Sequence, residues 1–184
     1  MDRWRDMQAQ QRLNGTETRA LLATHHLAGY GWALNCCGRD RHRAEDVLQT
    51  AYMSVLDGSA RYDGRAAFKT WLFAVIRRTA ANEWRRNLLR TLRFVPYQEC
   101  HENAITQAPD RESLDRTGLR ADFQAALARL PGRQREVLHL VFYEELTIQQ
   151  ASGVMGVSLG SARRHYERGK QKLRTLLHRH EALS

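Results

Sequence analysis

Proline is scarce in this 184-residue chain: three occur, beside twelve glycines, so few positions break a helix. Alternation of apolar with β-branched residues is almost absent, which argues against a sheet. Lysine is rare, only Lys69, Lys170 and Lys172, so arginine carries the excess of 29 basic over 20 acidic side chains. Cysteine is limited to the adjacent Cys36 and Cys37 and to Cys100, an odd set that makes no disulfide framework. No apolar run is long enough to cross a bilayer, and none follows the start Met1-Asp2-Arg3-Trp4-Arg5. A cytoplasmic protein without membrane insertion is expected. No serine has a base and an orienting partner, no glycine-rich phosphate loop follows a strand, and the carboxylates are scattered, so neither an enzyme nor a cofactor is expected. His25-His26, Cys36-Cys37 and Cys100-His101 match no compact zinc spacing, and no metal is expected.

What the chain has is positive charge and helical periodicity. A net charge of +9 and a pI near 10.1 suit a polyanionic partner, and arginine forks match phosphate oxygens and guanine edges. Three helical stripes fill the first half. After Thr16 as N-cap, Leu21, Leu22, Ala28, Trp32, Ala33 and Cys36 share a face. From Ala44, Val47, Leu48, Ala51, Tyr52, Val55 and Leu56 repeat at helical spacing, and from Ala66 so do Phe68, Trp71, Leu72, Val75, Ile76 and Thr79. The loop between them, Asp57 to Gly64, has turn residues at both ends.

Residues 88–118 differ: Pro96 and Pro109 appear, the periodicity fades, and five acidic side chains meet four basic ones. The flanks, 1–87 and 119–184, are both basic, with fourteen against nine and eleven against six. The prediction is an all-α protein of two small helical domains, 1–87 and 119–184, joined by a flexible linker at 88–118. In the second domain Phe123, Ala126, Leu127 and Leu130 form one stripe, and Val137, Leu138, Val141 and Phe142 form another beyond Pro131. Thr147 and Gln150 make a capping box opening a short helix, Gly156 gives a turn, and Ser158 caps a last helix running to about Leu177.

Capped helix, glycine turn and capped longer helix outline a helix-turn-helix, whose second helix enters the major groove. On that helix Leu159, Ala162, Tyr166, Leu173 and Leu176 fall on one side. Arg164, Glu167, Arg168 and Gln171 fall opposite, with Arg163 and Arg174 flanking. Glu167 is the only acid between Ser158 and Arg179, against seven basic residues, a bias that points to DNA rather than to a solvated face.

The second domain, with LPGRQREVL and TIQQASGVMGVSLGSARRHYERGKQKL, resembles region four of the extracytoplasmic-function (ECF) sigma factors of bacterial RNA polymerase. The first, with AEDVLQTAYMSVL and FKTWLFAVIRRTAANEWRR, resembles their region two. The resemblance implies a transcription initiation factor that binds core RNA polymerase and promoter DNA and is controlled by an anti-sigma factor. It implies that Glu45, Asp46, Gln49 and Thr50 face the β′ coiled coil, and that region four sits on the β-flap. It also implies that Ser158, Ser161, Arg163, Arg164, Glu167, Arg168 and Gln171 read the −35 element. Arg61, Tyr62, Arg65, Lys69, Arg77, Arg78, Asn82 and Arg85 would bind the −10 element, with Tyr62 walling a flipped-base pocket. The chain departs from the family in several places. Thr50 stands where an acid is common, Arg78 where asparagine is usual, and Tyr166 and Gly169 where leucine and alanine are usual. The rival reading is a conventional helix-turn-helix regulator that binds a palindromic operator as a dimer without polymerase.

Overall fold

A computed structural model describes residues 14–94 and 125–181 of the chain. Among these residues there are seven helices and no strand: α1 (Gly15–Thr24), α2 (His26–Cys36), α3 (Arg41–Leu56), α4 (Phe68–Phe94), α5 (Gly132–Phe142), α6 (Ile148–Met155) and α7 (Leu159–Glu181). A single helical turn at 125–128 precedes α5. They fall into two compact units, α1–α4 and α5–α7. The chain is all-α, as expected. Residues 88–94 of the expected linker are the last turns of α4. The rest of it, with Pro96, Cys100, His101 and Pro109, lies outside the described residues, as do the N-terminal Trp4 and the stripe residue Phe123.

In the first unit the single helix expected after Thr16 is two. The N-cap is Asn14 rather than Thr16: its Oδ1 accepts from the Glu17 amide at 2.7 Å, and the Glu17 carboxylate accepts from the Asn14 amide at 3.0 Å. The break falls at His25, outside helical geometry with φ −100° and ψ 11°. Just before it the Thr24 hydroxyl donates to the Ala20 carbonyl at 2.9 Å, a back-bond that bends helices. The bend lets α2 pack against both α3 and α4. Gly29 lies at the contact, where a Cβ would come 3.4 Å from Ile76 Cδ1, Leu48 Cδ1 and Tyr52 Oη, close but within ordinary packing distance. The core is Trp32, Val47, Leu72, Phe73 and Ile76, each essentially inaccessible to water. Trp32 could be buried there because its indole N–H donates to the Phe73 carbonyl at 3.0 Å, leaving no orphan donor.

The second unit is a three-helix arrangement in which α5, α6 and α7 all touch one another. The predicted caps of α6 and α7 are present. Thr147 Oγ1 accepts from the Gln150 amide at 3.2 Å, Gly156 is left-handed at φ 63°, and Ser158 Oγ accepts from the Ser161 amide at 3.2 Å. The α5 stripe differs from expectation. Val137, Leu138 and Leu140 are buried, Val141 is half-buried, and Phe142 is exposed, stacked on Tyr166 at 6.2 Å. Residue 142 sits in the last turn of α5, where the chain departs toward α6. Arg133 ties α5 to α6 by donating to the Met155 carbonyl at 3.3 Å.

Candidate nucleic-acid interface

The last helix is built to expose one face. Ala162, Gly169 and Leu173 are buried against the neighbouring helices, while Arg163, Arg164, Glu167, Arg168, Gln171 and Arg174 are exposed. Gly169 is part of the buried face: a Cβ there would approach Leu138 Cδ1 to 3.0 Å and Gln134 Cβ to 3.3 Å. In the sequence this position is only a glycine where alanine is usual, because close approach of α5 is a tertiary fact. Glu167 does not stand alone among the cations, since its carboxylate pairs with Lys170 at 3.2 Å, and Lys170 lies over the Tyr166 ring at 4.9 Å. Glu167 is exposed and Lys170 half-buried, so the pair is partly screened by water and open to exchange for a base or phosphate. Ser158 and the half-buried Ser161 close the N-terminus, with the Ser158 hydroxyl donating to Ser161 Oγ at 3.0 Å. Backbone amides there point outward along the helix axis, as a phosphate requires.

The residues expected at the −10 element divide into groups. Arg78, Asn82 and Arg85 are all exposed on α4 and, stepping ~100° per residue, fall within about 60° of one another. Trp71 shares their direction, one heptad before Arg78, and is half-buried rather than core. Lys69 faces about 180° away from Arg78 on the same helix, its ammonium over the Phe73 ring at 5.6 Å. Arg77 is half-buried on the flank. Phe68 is buried, as its spacing suggests.

The loop at the head of this stripe is organised by its own polar groups. The Asp57 carboxylate accepts from the Ser59 amide at 2.8 Å, and hydrogen bonds to Ser59 hold its pKa below the ordinary carboxylate value. The Ala60 amide donates to the Ser54 carbonyl at 2.7 Å, Arg61 Nε reaches the Gly58 carbonyl at 3.4 Å, and the Arg65 amide donates to Asp63 Oδ1 at 3.1 Å. Gly58 and Gly64 are left-handed, at φ 79° and 73°. Tyr62 is half-buried, with ring centroids 5.5 Å from Phe68 and 5.2 Å from Trp71. Its hydroxyl donates to the Ala66 carbonyl at 2.5 Å. The Arg65 guanidinium is exposed beside Asp63.

On α3, Ala44, Val47, Leu48, Ala51 and Val55 are buried, and Glu45, Asp46, Gln49 and Thr50 are exposed on the other side. Met53 and Leu56 continue that exposed face, 61% and 49% accessible, a greasy extension that the apolar pattern alone does not separate from core. Among the described residues no group of His, Cys, Asp and Glu is placed to hold a metal ion, and no helix is long and apolar enough to cross a membrane.

Two basic helical units, one ending in a helix-turn-helix, define a class of protein that grips nucleic acid with helices. Comparison with known proteins narrows the class. Residues 21–89 match sigma-70 region 2, and residues 126–175 match sigma-70 region 4. The chain is 31% identical over 134 residues to the RNA polymerase sigma factor CarQ of Myxococcus xanthus, covering 73% of this chain and 74% of that protein. It is 28% identical over 144 residues to the ECF RNA polymerase sigma factor SigE of Mycolicibacterium smegmatis, covering 78% of this chain and 55% of the relative. Two solved structures share the fold. One is the sigma factor RpoE bound to the anti-sigma factor NepR from Bartonella quintana, with TM-score 0.67, 20% identity, 86% of this chain and 95% of that one. The other is CnrH bound to the cytosolic domain of CnrY, with TM-score 0.58, 19% identity and 89% of each chain. The chain belongs to the sigma-70 family of RNA polymerase sigma factors, in its ECF group, and is a transcription initiation factor.

Proposed function

We propose that this sigma factor docks on core RNA polymerase through the exposed face of α3 and places its two basic surfaces on separate promoter elements. The observation that carries the reading is the division of α7. Five polar residues, Arg163, Arg164, Glu167, Arg168 and Gln171, stand exposed on a helix whose other side is locked against α5 and α6 by Ala162, Gly169 and Leu173. Such a helix, introduced by a left-handed glycine turn, fits the major groove at the −35 element. Arg78, Asn82 and Arg85, with the loop residues Arg61, Tyr62 and Arg65, are assigned to the −10 element, where phosphates of a displaced strand need cations and a flipped base needs an aromatic neighbour. Lys69 and Arg77, facing elsewhere on α4, are assigned to flanking phosphates.

Glu45, Asp46, Gln49 and Thr50 supply the acidic, hydrogen-bonding part of the polymerase contact to the β′ coiled coil, and region four is assigned to the β-flap. The structural neighbour RpoE was solved with the anti-sigma factor NepR bound, which supports control of this chain by an inhibitor covering the polymerase-binding face. The working compartment is then the cytoplasm. In vitro transcription tests the reading. The purified chain added to bacterial core polymerase should direct initiation from discrete sites in its own genome. A stable dimer that binds a palindrome and leaves core polymerase unaffected would favour a conventional regulator instead.

A further inference from the structure

The sequence makes Tyr62 a wall for a flipped base, but the structure has its side chain already committed. The ring meets Phe68 in a T-shaped contact and Trp71 in a tilted one, and the hydroxyl donates to the Ala66 carbonyl four residues on. Phe68 and Trp71 touch each other at 5.4 Å, and Phe68 is buried, with His25 stacked 6.0 Å from it, so the platform beneath Tyr62 is fixed from α1–α2 as well as from α4. The segment between Tyr62 and Ala66 contains the left-handed Gly64 and the Asp63 side chain that accepts from the Arg65 amide. The hydroxyl bond therefore closes a five-residue ring of chain whose tip carries the exposed Arg65.

From this we infer that Tyr62 is a positioning residue: its hydroxyl latches the 62–66 turn to the aromatic platform, holding Arg61 and Arg65 at the head of the Arg78–Asn82–Arg85 stripe. The inference rests on the proposed −10 role of that stripe. The latch means the loop does not have to be ordered when DNA arrives, so the cost of fixing its backbone is met in folding rather than in promoter opening. A stacking wall and a latch make opposite demands on one atom. Stacking needs only the ring, whereas the latch needs the oxygen.

Tyr62→Phe is therefore the deciding variant, with Gly64→Ala as an independent one that strains the same turn without touching the aromatic platform. In the free protein, hydrogen exchange at the Ala60 and Arg65 amides should quicken roughly five- to tenfold in Tyr62→Phe, the scale of one lost intramolecular hydrogen bond. The second readout uses a promoter selected by the wild-type holoenzyme from a randomised duplex pool. The Gly64→Ala holoenzyme should bind that duplex within about twofold of wild type, and both variant holoenzymes should open it roughly five- to tenfold more slowly by permanganate reactivity. Unchanged exchange in Tyr62→Phe overturns the latch, as does opening at the wild-type rate in either variant. If the wild-type holoenzyme selects no duplex, the −10 reading has failed, and the exchange measurement still decides the latch by itself.

Discussion

Glu145 holds a left-handed conformation at φ 56°, exposed in the turn between α5 and α6, and a side chain with a Cβ costs about 1–2 kcal/mol there. Glu145→Gly should raise stability by up to about 1 kcal/mol, part of the relief being offset by the freer unfolded chain. A higher denaturation midpoint with unchanged promoter binding checks it. Gly169 is the opposite case. Its missing side chain is what lets α7 lie on Leu138, so Gly169→Leu should cost about 1–3 kcal/mol by overpacking. Gly169→Ala should be close to neutral, because a gain of about 1 kcal/mol in helix propensity opposes a contact the Leu138 side chain must relieve. Urea titrations of the three proteins separate the two effects. A left-handed backbone marks the one and the closeness of α5 the other, and nothing in the local sequence shows Glu145 as strained or Gly169 as packed.

At the scale of elements, the caps of α6 and α7 were readable, whereas the N-cap of α1, expected at Thr16 and found at Asn14, and the continuity of that helix were not. Thr147, Gln150, Gly156 and Ser158 stand where residue type alone puts them, since a cap is made between groups three residues apart. The break at His25 was hidden because its flanking stripes are in nearly the same phase, and a hydroxyl back-bond at Thr24 leaves no proline or glycine as a sign. Thr147→Ala should cost about 1 kcal/mol, removing the oxygen that satisfies the Gln150 amide and loosening the helix that positions α7. The loss should be seen as a lowered thermal midpoint of the α5–α7 unit. Arg168 is exposed on the same presented face, and Arg168→Ala should cost about 1–3 kcal/mol at the promoter if it forks onto a base, relaxing preference at one −35 position. A uniform loss over all −35 variants, with a shallower salt dependence, would instead mark a phosphate contact.

For the whole molecule, promoter recognition requires polymerase binding and DNA binding to be separable, and the charge layout permits that. The acidic positions Glu45 and Asp46 lie on the solvent side of α3, away from the Val47–Leu48–Ala51 face that holds the bundle. Asp46→Arg should therefore leave the helical content and melting of the chain unchanged while weakening its affinity for core polymerase about tenfold or more, measurable by labelled-chain titration. Equal affinity would take Asp46 off the proposed surface. Met53 and Leu56, exposed beside it, extend that surface with apolar area.

The helical class, the two basic modules, the helix-turn-helix and the residues of its outward face were legible along the chain. All of these follow from periodicity, charge and caps, which are local quantities. Which side chains share a surface came only from the packing of the helices. That packing sent Lys69 and Arg78 to opposite sides of α4, moved Trp71 out of the core to the head of a basic stripe, made Gly169 a contact, and bound Tyr62 into its own loop. Those outcomes depend on where a second helix or a returning carbonyl lies in space, and no window along one helix contains that distance.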